Sequence, residues 1–146
     1  MPPRSPSDTA CEQPRPRKRR VRGADVVVVA TMSMTPVLFG KWLSAGTHVN
    51  AVGAPRPTWR ELDDETLSKS RIYVDSREAA LAESGDIIAG GRVFAEIGEV
   101  VAGRRPGRSG DDEITLFKSV GVAVEDIVTA DLVYRKAIAE KQPSSH

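Results

Sequence analysis

The chain has 146 residues, 21 basic against 20 acidic, and a single cysteine. That length suits one domain with a modest core, and one cysteine rules out an intrachain disulfide, so a reducing, cytoplasmic setting is the simpler expectation. No apolar run approaches the roughly 20 residues that span a bilayer, and the start lacks the apolar segment of a secretory signal, so no membrane partner is expected.

The near-neutral balance hides an asymmetry. Up to Arg22 there are seven basic residues against Asp8 and Glu12, and the remainder is net acidic. Met1 to Arg22 is rich in Pro, Ser and Arg and too poor in apolar side chains to offset the entropy of ordering, so disorder is expected there and again over 141–146. Arg17-Lys18-Arg19-Arg20 is the type of cluster that binds nucleic acid or directs nuclear import. With no aromatic beside it to stack on bases, a solvated tail is the preferred reading and nucleic acid is not expected as a partner.

Asp25 to Thr31 is a β-branched run, too short and too apolar for a surface helix, and reads as a strand buried on both faces. A short helix-like piece, Val37 to Leu43, crosses to a second strand, Thr47 to Val52, which stops at Gly53-Ala54-Pro55-Arg56-Pro57. This is the pattern of a parallel β-crossover-β unit. Ligands of open parallel sheets sit outside the carboxyl ends of the strands, which points to the turns Thr31-Met32-Ser33 and Val52-Gly53-Ala54.

Trp59 to Ser68 crowds acidic residues into its first turns and predicts a helix. Arg71 to Asp75 predicts a third strand, and Ser76 is a fair N-cap for the helix that follows, broken at Glu83-Ser84-Gly85-Asp86. Ile87-Ile88 and Phe94 to Val101 suggest two further short helices, the latter ending at Gly103. Arg104 to Gly110 is a loop by composition. Ile114 to Phe117 predicts a fourth, short strand. Val120 to about Glu140 carries Val124, Ile127, Val128 and Leu132 at helical spacing and predicts a long amphipathic helix.

No G-x-G-x-x-G turn follows a strand, and Gly90-Gly91 and Gly107/Gly110 read as ordinary turns. His48 lies within a strand pattern, more often a satisfied histidine than a catalyst. Asp111-Asp112-Glu113 converges with no His or Cys pattern, so no metal site is expected.

Three blocks, HVNAVGAPRPTWRELDD (His48 to Asp64), YVDSREAALAESGD (Tyr73 to Asp86) and DEITLFKSVGVAVED (Asp112 to Asp126), resemble the C-terminal half of the ornithine cyclodeaminase/mu-crystallin family over roughly Gly23 to Ile138. The resemblance implies an α/β fold: part of a Rossmann-like, NAD(P)-binding parallel sheet with flanking helices and a long C-terminal helix, over residues 23–140. The family's glycine-rich phosphate loop lies upstream of the part represented here. By resemblance, Thr31 and Met32 line the cofactor ribose, Val52 approaches the nicotinamide, Ser119 hydrogen-bonds the nicotinamide end, and Glu83 faces the substrate pocket. From the residues alone Thr31 is equally a strand end, Ser119 an N-cap and Glu83 a solvated helix terminus. Small residues at Gly53 and Ala54 would let a planar ring approach the backbone.

Cyclodeaminases proper place an Asp where this chain has Pro55. Proline cannot exchange a proton, which disfavours the cyclodeaminase route and favours the reductase branch of the family. The resemblance therefore implies an NADPH- or NADH-dependent reductase of small cyclic ketimines, homodimeric at full length. The alternatives are a binding protein for the cofactor and an iodothyronine without obligatory turnover, or an inactive fragment.

Overall fold

The structure, a computed structural model, describes residues 17–141. Five parallel strands form one sheet in the order β1-β2-β5-β3-β4: β1 Val26–Val29, β2 His48–Ala51, β3 Arg71–Val74, β4 Val93–Glu96 and β5 Thr115–Lys118. The helices are α1 Arg17–Val21, α2 Asp64–Lys69, α3 Arg77–Glu83, α4 Gly85–Ile88, α5 Ile97–Val101 and α6 Ala123–Lys141. The expected α/β architecture and the parallel β1-β2 pairing are both present.

Alternation along the strands builds one packed face. Val27, Val49, Leu116 and Ile72 lie in register across the sheet, and Val29, Ala51, Lys118 and Val74 form the next row. All eight are buried, and Leu38, Leu62, Leu67, Ala80 and Ile87 close over them. Each fully buried Val, Leu or Ile contributes about 1.5–3 kcal/mol, so this face holds the fold together.

β1 departs from expectation. Val27 and Val29 are buried, but Val26 and Val28 are 57% and 65% exposed. The strand is at the sheet edge and, among the described residues, nothing covers its second face.

Between β1 and β2 the chain forms only a 3-10 turn at Gly40–Trp42 in place of the expected Val37 to Leu43 helix. The Val37 and Leu38 amides donate to the Glu61 carbonyl, and Leu38 bridges Leu62 in parallel, which holds 37–38 extended. The same bridge delays the next helix. Residues 59–62 stay non-helical, and α2 starts at Asp64 after Asp63, whose carboxylate accepts from the Thr66 amide and also from the Gly40 amide.

Ser76 caps α3 through the Ala79 amide as expected, and Ser84 ends α3 and caps α4 through the Ile87 amide. The helix expected over Phe94 to Val101 is half strand, because Val93–Glu96 pairs with β3 and only Ile97–Val101 turns helical. Gly90-Gly91 is a turn and residues 104–110 a loop. Of the tail expected to lack structure, residues 1–16 lie outside the described residues, while Arg17–Val21 forms one helical turn whose Val21 packs against the core. At the other end, 142–146 lie outside them too.

α6 forms where expected, but it buries no apolar stripe: Val124, Ile127, Val128 and Leu132 are 59%, 67%, 62% and 52% exposed. Its spacing specifies a face whose partner is not among the described residues.

Candidate functional site

The carboxyl ends of the strands carry the predicted corners, and the structure brings them together. The Val52 amide donates to the Val29 carbonyl at 2.9 Å, and the Ala54 amide to the Thr31 carbonyl at 2.9 Å. On the other side of β2, the Ser119 amide donates to the Ala51 carbonyl at 3.1 Å. Thr31, Val52 and Ser119 thus sit on one edge, on three adjacent strands.

Gly53 is required here by space. A Cβ on it would run into the Thr31 backbone and the Glu61 carboxylate, so no other residue lets β1 and β2 end this close. Ala54 follows with φ +47°, a left-handed conformation for a completely buried alanine. Such a backbone costs on the order of 1–3 kcal/mol and persists only where its surroundings over-determine it.

Beside the corners lies a cavity of about 370 Å³ lined by Thr31, Met32, Val52, Gly53, Pro55 and Trp59, among others. Met32 and Val52 present apolar side chains at 79% and 47% exposure, and the Arg56 guanidinium stacks 4.8 Å from the centre of the Trp59 ring. The wall is apolar and poor in side chains beside Gly53, which fits a flat heteroaromatic ring. Pro55 has no proton to exchange here. Neither Ser119 nor Glu83 lines this cavity. Glu83 is the exposed last residue of α3, two residues before Gly85, whose amide donates to the Arg56 carbonyl at 3.2 Å.

Beneath the corners lies a group of charges that the sequence reading missed. Glu61, Asp86 and Lys118 are all fully buried. Lys118 Nζ donates to the Gly53 carbonyl and stands 3.6 Å from Asp86 Oδ2. Asp86 Oδ1 accepts from the Glu61 and Leu62 amides, both at 3.1 Å, and Glu61 Oε1 accepts from the Thr31 amide. Burial pushes the Asp86 carboxyl above its ordinary range, although the Leu62 amide and the Lys118 ammonium pull the other way. Lys118 was detectable in principle: it is two residues from Leu116, so strand alternation points both at the same buried face.

Asp75, also missed, ends β3 and grips the segment after β5. Its Oδ2 accepts from the Ser119 hydroxyl at 2.8 Å and from the Val120 and Gly121 amides at 2.9 and 2.8 Å. Away from this edge, His48 Nδ1 lies 2.8 Å from Thr115 Oγ1, a satisfied strand histidine.

A parallel α/β sheet with tight, side-chain-poor turns gathered at the carboxyl ends of adjacent strands defines the class of nucleotide-cofactor-binding folds. Comparison with known proteins specifies it further. Residues 9–141 match the ornithine cyclodeaminase/mu-crystallin family, and the chain belongs to that family. It is 56% identical over 115 residues to the ketimine reductase mu-crystallin of Mus musculus, a match that covers 78% of this chain and 36% of that protein. Among solved structures it is similar to the Thermococcus litoralis Delta(1)-pyrroline-2-carboxylate reductase in complex with NADH and L-proline, with 46% identity and a TM-score of 0.79 over 84% of this chain and 41% of that one. An archaeal alanine dehydrogenase dimer with bound NAD gives 40% identity and a TM-score of 0.77 over 88% and 42%. The chain therefore spans about two fifths of the length of these relatives.

Proposed function

We propose that this chain forms the nicotinamide-side part of an NAD(P)H-dependent imine reductase acting on a small cyclic ketimine. The observation that carries the reading is the pair of corners, Thr31 to Met32 and Val52 to Ala54, hydrogen-bonded to each other beside an apolar cavity of about 370 Å³. Likeness to a ketimine reductase and to a pyrroline-2-carboxylate reductase that binds NADH supports the reaction class. NADPH or NADH would supply the hydride for the C=N carbon, and the protein's part is orientation and electrostatic setting.

In this reading Val52 and the Gly53 backbone lie against one face of the ring, and Thr31 and Met32 border the ribose. Ser119 orients the nicotinamide end, its hydroxyl held by Asp75. Glu83 would lie toward the substrate. The edge position of β1 fits a sheet that continues in a longer polypeptide, where the phosphate-binding turn would be found, and the exposed Val26 and Val28 side chains fit a covering layer on that face. A homodimer belongs to the same reading, supported by the dimeric alanine dehydrogenase.

Trp59 lines the cavity, so titration with NADPH followed by tryptophan fluorescence tests the reading directly. Quenching that saturates at roughly micromolar cofactor, followed by ketimine-dependent NADPH oxidation, is the expected result. A signal that stays flat to roughly millimolar cofactor overturns it for this chain.

A further inference from the structure

We propose that Lys118 is a positioning residue. From inside the sheet it fixes the Gly53 carbonyl, and through Asp86 and Glu61 it fixes the Thr31 amide, so that the two corners keep one spacing across the cavity. The functional part of this inference rests on the cofactor reading above; the geometric part does not.

The row Val29-Ala51-Lys118-Val74 is apolar except for its lysine, and that lysine is fully buried. A buried ion pair seldom stabilises a fold more than an apolar side chain of similar volume would, so core stability gives little reason for a lysine at this place. An apolar side chain could not hold a carbonyl. The Lys118 ammonium takes the Gly53 carbonyl, and Asp86 Oδ2 at 3.6 Å balances its charge. The other Asp86 oxygen takes the Glu61 and Leu62 amides, which fixes the backbone that carries Glu61. Glu61 then reaches back to the Thr31 amide. The Ala54 amide on the Thr31 carbonyl at 2.9 Å closes the ring of contacts. Every link runs between segments far apart in sequence, and all of them converge on the two turns that border the cavity.

The test uses the whole chain with Lys118→Met, Glu61→Leu and Glu61→Gln. Hydrogen exchange at the Thr31 and Ala54 amides is read against amides of β3, and the NADPH dissociation constant is measured alongside. Loss of a hydrogen bond to a charged group is expected to speed exchange at both amides, relative to β3, by about tenfold in K118M and in E61L, and to weaken NADPH by about tenfold. Glu61→Gln keeps an acceptor for the Thr31 amide and is expected to restore both readouts to within about twofold of the parent, a rescue that a packing role would not produce. In the unmodified protein the Lys118 ammonium should give a slowly exchanging nitrogen resonance. That signature, with the Glu61 pair, decides the matter if K118M does not fold.

A folded K118M with unchanged exchange at Thr31 and Ala54, or a Lys118 ammonium exchanging like an exposed lysine, overturns the geometric claim. If the parent binds NADPH and K118M binds it as tightly, the functional claim falls. If the amides respond as expected but the parent binds no NADPH, the network stands and the cofactor reading is what fails.

Discussion

Asp75 gathers two parts of the sheet with one carboxylate. Oδ1 accepts from the Ser76 amide at 2.8 Å, while Oδ2 holds Ser119, Val120 and Gly121 beyond the end of β5. Partial burial would raise its pKa, but the Ser119 hydroxyl and the Ser76, Gly121 and Val120 amides together hold it below the ordinary 3.8. The sign follows from linkage: a depressed carboxyl contributes stability that is present above 3.8 and is lost as the pH falls through the lower folded value. Asp75→Asn should therefore cost about 1 kcal/mol near neutral pH, discounted for its partial exposure, with the gap to the parent closing in acid. Urea titrations at several pH values would check this, and a pH-independent gap would contradict it. Asp86 has the opposite sign: its carboxyl is raised by burial, so its charge costs stability as the pH climbs above the ordinary range. At the Asp75 carboxylate the hydrogen bonds outweigh burial; at Asp86 burial outweighs the Leu62 amide and the Lys118 ammonium.

Among the elements, α6 and β1 are incomplete in the same sense. Most helical stability in proteins comes from burying an apolar face, which the 19-residue α6 does not do here. Limited trypsin digestion should cut at Arg135 and Lys136 well before any site in the sheet, leaving a resistant core that ends at Arg135. Cleavage in β3 or β5 at a comparable rate would show that the sheet is no better ordered than the helix. β1 keeps its place because Val27 and Val29 pack downward and its amides pair with β2, although Val26 and Val28 face out. The contrast with α2 is instructive. That helix is only six residues long, yet it is capped by Asp63, shields Leu67 and Thr66, and is tied to the Gly40 turn by the same Asp63 carboxylate. Tertiary contacts, more than length, decide which of these elements is fixed.

For the molecule as a whole, a parallel sheet normally has both faces covered, whereas here, among the described residues, the second face is buried at Thr115 and Tyr73 but open at Val26 and Val28, the outer edge of β1 is unpaired, and α6 leaves its apolar residues exposed. Exposed edges and apolar faces recruit other chains. The 146-residue chain should therefore elute in size-exclusion chromatography as concentration-dependent oligomers; a sharp monomer peak with a cooperative thermal transition would count against this.

Strand alternation, glycine and proline placement, and capping serines are local properties of the chain. From them the parallel β-crossover-β unit, the two corners, the Ser76 cap and the long last helix were legible in advance. The strand over Val93–Glu96 and the late start of α2 were not, because pairing with β3 and the Leu38–Leu62 bridge override the local preference. The same reason hid the group of Glu61, Asp86 and Lys118. Glu61 and Asp86 look like ordinary surface charges along the chain, alternation with Leu116 hints only at the face Lys118 takes, and it is the packing of β5 between β2 and β3 that buries the lysine beneath the corner it holds. Local preference acts over a few residues, so the sequence by itself determined where the chain turns; burial of charge depends on neighbours brought from afar, so only the tertiary structure decided what holds those turns in place.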